Sequence, residues 1–562
     1  MTNVAGKAYG MNVLTPMKPC KTWINTAIFR AGRIYPDTLS GLLGLSLIHF
    51  ARWVMIRPKQ WPDLGQGAQT QMKNDYMLFC SNFNGTWDQY IDAFSDGIPN
   101  GLDLFWWAST GYPHSITITP FKDYILHNQY DTNYYYDATP GSAQRDIKGA
   151  LRVYIALLKL AQDHKTLSAE DFAALYSQQL TVIQNDLGTP GYAPVASNDT
   201  READWNREAA MKAAINERAT REPHPGPPSK PAPKRPPRAA KTTSFDGGHY
   251  FLTCLIPVQN QSLVTHYGVE CSAVQRLREV LATLPTALQS QATEGIGLNS
   301  PFARSRRTHL ARFVVINDVQ YQGRDGEDAI FGAVRMAAGG APMTEPQHQD
   351  RLSCPFLLFS ADIDAPDGSV ESLRSYFQEL WRTMEPELRG VLENCYGYER
   401  IRDVESFCDY LLACEVETTM PFNDYWAEPP PLKNRVLETL LPPALLLAAG
   451  NALALGLGPT PLAVLASAGS TALAGWWAVH SVLSIGGEPF PAAPHSDLPS
   501  VLKALYMQQH FVRFAIDAQG LDATTLHAGF GEFLHRHRPG DLNGPTQPPG
   551  VIRSPATAGD QP

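Results

Sequence analysis

Three strings of residues recur in the same order along this chain, and that recurrence limits its architecture more than any other feature. Residues 49–56 (HFARWVMI) match residues 309–316 (HLARFVVI) at five of eight positions, and the other three are apolar in both. Residues 78–83 (LFCSNF) match 358–363 (LFSADI), and residues 111–126 match 397–412 without a gap, through Gly-Tyr, Phe121/Phe407 and Asp-Tyr-x-Leu. Three matches in one order, more widely spaced the second time, imply a duplicated module.

The second copy shows the plan of the module more clearly. Residues 250–258 (YFLTCLIPV) form an apolar, β-branched and aromatic run of strand length. Apolar spacing through Val274, Leu277, Val280, Leu281 and Leu284 predicts a helix over 269–284. Strands follow at 309–316 and 355–363. Ser369 then caps a helix lined by Leu373, Phe377, Leu380 and Trp381, and a fourth strand is expected at 391–398. The order is β-α-β-β-α-β, the ferredoxin-like arrangement, with a further helix at 404–414. The first copy fits with strands near 23–29, 48–56, 76–83 and 104–109 and its second helix at 86–94.

An antiparallel sheet with helices on one face needs cover on the other, and two copies supply it by packing sheet against sheet. The expected fold class is therefore α+β: tandem duplicated ferredoxin-like modules, 21–137 and 248–426, packed sheet to sheet. On duplication and topology the chain resembles the dimeric α+β barrel superfamily, and more remotely Dyp-type peroxidases and chlorite dismutase-like proteins. That resemblance implies haem and peroxide chemistry inside the barrel.

The remaining segments differ sharply in composition. Residues 142–222 read as a helical extension with an apolar stripe through Leu151, Ile155 and Leu158. Residues 223–247 are a Pro-rich basic linker, extended and polyproline-like, whose 223–241 portion is either a spacer or a site for a proline-binding partner. Residues 439–487 contain no Asp, Glu, Lys or Arg, and two apolar runs flank Gly458-Pro459-Thr460-Pro461. Each run is near the length that crosses a bilayer, which predicts a transmembrane helical hairpin, with a buried core pair as the alternative. Lys433 and Arg435 on one flank and Lys503 on the other place the soluble modules on the cytoplasmic side. A C-terminal helical region is expected at 488–538 and a disordered tail at 539–562.

Candidate chemistry falls on few residues. His49 and His309 hold equivalent places in the repeat, each with an arginine three residues on, Arg52 and Arg312. They serve either as ligand contacts, for a haem propionate or peroxide, or as paired structural groups. His127 has Ala413 as its counterpart, the asymmetry expected where one half of a duplicated barrel keeps a haem ligand, and it is the candidate metal ligand; His114 is a poorer one. Residues 364–368 (DAPDG) partly match the Gly-x-x-Asp-Gly pattern of Dyp-type peroxidases, with Asp364 where the first glycine stands, so Asp367 is a candidate catalytic acid or else part of a turn and cap. Trp106, Trp107 and the run Tyr134-Tyr135-Tyr136 suit a barrel wall or an apolar pocket equally.

Net charge of −9 argues against a nucleic-acid partner. Eight scattered cysteines without a C-x-x-C pair point to buried free thiols, and no secretory signal opens the chain. P-loop, Rossmann, nucleophile-elbow and zincin motifs are missing. Three functions fit: a membrane-associated oxidoreductase of the peroxidase or monooxygenase kind acting on a small molecule or peroxide, with or without haem; a non-enzymatic membrane-anchored binding or scaffold protein; and a membrane-permeabilising effector using 439–487.

Overall fold

The computed structural model describes residues 4–5, 8–36, 40–188, 213, 242–260, 263–266, 269–285, 299–323, 333–334, 336–339 and 348–551. The proline-rich 223–241 and, apart from residue 213, the 189–222 part of the expected helical extension lie outside these residues.

The body is α+β, built on two antiparallel sheets. One holds β1 (Val4–Ala5), β2 (Ala8–Pro16), β3 (Ile48–Ile56) and β4 (Tyr76–Asn84); the other holds β6 (Phe245–Asp246), β7 (His249–Pro257), β10 (Thr308–Ile316) and β11 (Phe356–Asp364). Each sheet takes its fifth strand from the other half of the chain. β5 (Tyr134–Asp137) pairs with β10, and β12 (Met420–Asn423) pairs with β3, giving the orders β1-β2-β4-β3-β12 and β5-β10-β11-β7-β6. A separate two-stranded ribbon joins β8 (Leu263–His266) to β9 (Val269–Ser272).

The sheets lie face to face. Leu14, Val54, Ile56, Leu78 and Cys80 of the first pack with Leu255, Val314, Ile316, Phe356 and Leu358 of the second in one apolar cluster. Helices cover the outer faces. On the first sheet sit α1 (Thr22–Ile34), α2 (Ser40–Gly44), α3 (Trp87–Gly97), α4 (Pro99–Trp106) and α5 (Ile118–Asn128), anchored by Phe29, Tyr90, Phe105 and Phe121 around Trp53 and Phe79. α6 (Gln144–Asp163) and α7 (Ala169–Ile183) belong to a separate helical group. α8 (Ala273–Ala282), α9 (Val370–Leu392) and α10 (Val404–Cys414) cover the second sheet. Because both faces of the long strands are covered, every position of β3, β4, β7 and β10 is buried, and apolar residues fill most positions on both faces.

The repeated strings occupy matching places: β3 and β10, β4 and β11, α5 and α10. Gly111 and Gly397 both sit at positive φ, 74° and 77°, at the turns that precede α5 and α10, a conformation glycine adopts without the Cβ penalty. Several expected elements are corrected. Residues 23–29 belong to the helix α1, since burial falls on Thr22, Asn25, Phe29, Arg30 and Arg33 at helical spacing while Trp23 is exposed. The first strand is instead β2, whose Gly10, Asn12 and Thr15 mask its pattern. Residues 104–109 and 391–398, expected as fourth strands, are instead the last turn of α4 and the end of α9 with the turns that follow; each contributes one isolated bridge, Met17 to Ser109 and Val258 to Cys395. The helix expected over 269–284 begins only at Ala273, capped by Ser272.

α6 and α7 join α13 (Leu498–Asp517) and α14 (Ala523–His537) in a helical group that closes one end of the sheet pair, packing on Phe50, Tyr135, Phe251 and Leu310. Within the segment expected to be a disordered tail, residues 539–551 lie on the body: Tyr154 Oη donates to the Pro539 carbonyl (2.9 Å), and the Gly550 amide donates to Ala138 O (2.7 Å). All eight cysteines are free, and six are buried.

α11 (Val436–Gly456) and α12 (Pro461–Ile485) form an antiparallel hairpin, long and apolar enough by composition to cross a membrane. Unlike a core pair it is bare: Leu445, Leu453, Leu455, Leu465 and Trp476 are each at least 60% exposed. Some of its small and polar residues meet between the two helices. A Cβ at Gly450 would overlap Ser470, and Ser467 Oγ donates to Asn451 Oδ1 (2.8 Å). The base is fastened to the body by Arg33, buried, which donates to the carbonyls of Gly486 (3.0 Å) and Glu488 (2.9 Å) and pairs with Asp246 (2.7 Å). The guanidinium also stacks over Phe490, and Asp246 accepts from the Phe490 amide.

Candidate functional site

The space between the sheets holds a polar network centred on the two repeated arginines. Both are 1% exposed. Arg52, on β3, crosses to the second sheet, where it donates to the carbonyls of Leu252 and Ala361 and pairs with Asp362. Arg312, on β10, crosses the opposite way, donating to the carbonyls of Met11 and Ser81 (3.1 Å each), to Asn12 Oδ1 (2.9 Å) and to Asn82. Asn82 Nδ2 in turn donates to Asp362 (2.9 Å), and Tyr135 Oη donates to Asn82 Oδ1 (2.7 Å). Burial lowers the Arg52 guanidinium while Asp362 opposes the fall, and burial pushes the Cys80 thiol up. One carboxylate facing two guanidiniums makes this interior electropositive, but its donors are already committed to protein oxygens.

A second cluster lies at the end of the sheets beneath the helical group. A bulge in each strand falls at the repeated histidine, between Ile48 and Phe50 and between Thr308 and Leu310. Bulges re-aim side chains, and His309 Nε2 meets Asp364 Oδ1 at 2.7 Å. Asp364 is paired in register with His249, whose Nδ1 stands 3.1 Å from the same oxygen, and Asp364 Oδ2 accepts the Leu498 amide at the start of α13 (2.7 Å). Phe50 packs on both imidazoles, 5.2 Å and 5.4 Å between ring centres. Burial by itself would lower the His309 imidazole, but Asp364 outweighs it and holds it raised. Burial likewise opposes ionisation of Asp364, and His309 and His249 hold it well below the usual carboxylate range. Nearby, burial pushes the Asp137 carboxyl up to about 7.

His49 does not join that triad. Its Nδ1 lies 2.9 Å from the Tyr425 hydroxyl, and burial lowers it to about 4. A histidine whose folded pKa lies below its unfolded value of 6.5 contributes stability that is whole above about pH 6.5 and is lost as pH falls toward 4. Acidifying from pH 7 to 4 is therefore expected to cost wild type on the order of 3 kcal/mol through this group. Thermal melts in detergent would show a smaller acid loss for His49→Asn.

The other predicted site residues lie apart. His127 is exposed on α5, its Nε2 3.0 Å from the Tyr321 carbonyl. Asp367 is exposed and accepts from the Ser369 amide (3.0 Å) and from Ser372 Oγ, while Ser369 caps α9. That is turn-and-cap chemistry. His114 is exposed beside Asp103. Haem needs an axial ligand facing a slot wide enough for a porphyrin; His127 faces a surface carbonyl, and the sheet interface is filled by the arginine network and its apolar cluster. These residues do not fit haem. An open cleft of about 630 Å³, lined by Gln129, Tyr130, Asn133, Arg278 and Asp318, contains none of the predicted site residues. Sequence reasoning missed His249 and Asp364 as partners of His309, because only the strand register places them together.

No protein-family model, curated protein or solved structure matches the chain.

Proposed function

We propose that this protein is a membrane-anchored binding or scaffold protein, held at a lipid surface by the α11–α12 hairpin. The observation that supports this is the hairpin's bareness combined with the buried Arg33 fastening at its base. At 1.5 Å per residue the two helices are roughly 31 and 37 Å long, enough for a hydrocarbon core of about 30 Å. Water does not tolerate so large an apolar surface without a partner, and lipid is the partner whose chemistry matches a surface without charge.

The hairpin's polar groups favour an anchor over a permeabilising effector. A pore needs a polar lining, whereas Asn451 and Ser467 bond to each other between the helices and leave leucines outward. Orientation rests on the flanking charge. Lys503, counted from sequence as a flanking cation, is fully buried and donates to the carbonyls of His537 and Pro545 (2.7 Å each), so it faces no lipid. Lys433 and Arg435 remain, and they favour a cytoplasmic body. In the same proposal the two sheets descend from a duplicated ferredoxin-like module of the dimeric α+β barrel kind, supported by the matching places of the repeats. Its barrel interior acts as structure.

Dye-loaded vesicles test this. Full-length protein is expected to float with them and leave the dye inside, and protein lacking 439–487 is expected to stay in solution. Leakage on insertion would favour the effector; failure to float would remove the anchor.

A further inference from the structure

We propose that His249, His309 and Asp364 form a binding site for a divalent transition-metal cation, zinc above all, that staples the closed end of the second sheet. The three ligand atoms lie within 4.8 Å of one another. Asp364 Oδ1 stands 2.7 Å from His309 Nε2 and 3.1 Å from His249 Nδ1. Zinc bonds of about 2.0–2.2 Å set ligand-to-ligand edges near 3.3 Å, so the two edges to Asp364 Oδ1 need to lengthen only slightly to admit the ion. Two imidazoles and one carboxylate are a donor set suited to zinc.

His249 supplies the independent observation. It is 1% exposed, its Nδ1 lacks hydrogen-bond geometry toward Asp364 despite the short distance, and its Nε2 has no hydrogen-bond partner. A buried polar group left without a partner costs about 1–3 kcal/mol. A cation on Nδ1 turns the loss at that atom into a bond. The surroundings are those of a held ligand set: the Leu498 amide fixes the free oxygen of Asp364, as outer-sphere donors do for metal-bound carboxylates. Phe50 closes the triad from the first sheet, with the Tyr425 ring 5.9 Å from His309. Since β7, β10, β11 and the start of α13 all meet here, the ion would tie the sheet to its helical cover. Three protein ligands leave a fourth position for water.

The test uses the full-length chain, expressed with added zinc and purified in detergent. Elemental analysis is expected to find about one zinc per chain, falling at least tenfold in His249→Ala and Asp364→Asn and unchanged in His114→Ala, since zinc affinity follows ligand count. Should the triad variants fail to fold, chelator-stripped wild type is titrated with Co²⁺ alone. Visible ligand-field bands saturating near one equivalent, with a raised melting temperature, support the site. Wild type that retains no zinc and gives no such bands overturns the proposal and leaves a hydrogen-bonded His–Asp cluster. Folded triad variants that keep full zinc overturn it as well.

Discussion

Arg52→Ala is expected to destabilise the body by about 3–5 kcal/mol, the cost of removing one partner from a fully buried ion pair. The size follows from what is left behind. Asp362 is 2% exposed, and without Arg52 its ion-pair partner is gone while the Asn82 amide still bonds it. Keeping a cation beside Asp362 softens that penalty, so Arg52→Lys is expected to recover part of the loss. Unfolding in detergent, followed by the fluorescence of the buried Trp53 and Trp106, measures both variants. An alanine variant within about 1 kcal/mol of wild type would mean that the pair is worth no more than a surface salt bridge.

The second large effect concerns the hairpin. Leu445 and Leu473 lie near the middles of α11 and α12, 60% and 51% exposed. Arginine at the centre of a membrane helix costs roughly 2.5–3.5 kcal/mol where leucine is favourable by a few tenths. Leu445→Arg with Leu473→Arg is thus expected to cost on the order of 6–8 kcal/mol of insertion, enough to move the protein from the membrane pellet to the soluble fraction. Neither side chain packs in the body's clusters, so the melting of the α+β body should be unchanged. A double variant that still pellets with membranes would refute lipid contact at those positions.

Legibility in the sequence followed how local each feature is. β3, β10, β4 and β11 stood out because covered strands are apolar at most positions on both faces, and α5 and α10 because they repeat. β2 was hidden because Asn12 is selected by a partner on the far sheet, Arg312, and Gly10 by the close approach of that guanidinium, 3.3 Å from where its Cβ would stand. β5 and β12 are four residues each, too short for alternation to show, and their pairing with the opposite half is a long-range event that no window of sequence contains. His309 could be named from the repeat. His249 and Asp364 could not, since a register and a bulge bring them to it. The apolar hairpin was legible from its missing charges alone, whereas the burial of Lys503 depended on α14 folding over α13.

One labelling measurement tests the anchor most directly. Cys20 is exposed on the body and serves as an internal reference, and Pro459→Cys places a thiol at the hairpin tip. The protein is added to preformed sealed vesicles and treated with a membrane-impermeant maleimide. The predicted result is prompt labelling of Cys20 and protection of the tip thiol until detergent opens the vesicles. Equal labelling of both before detergent would contradict insertion.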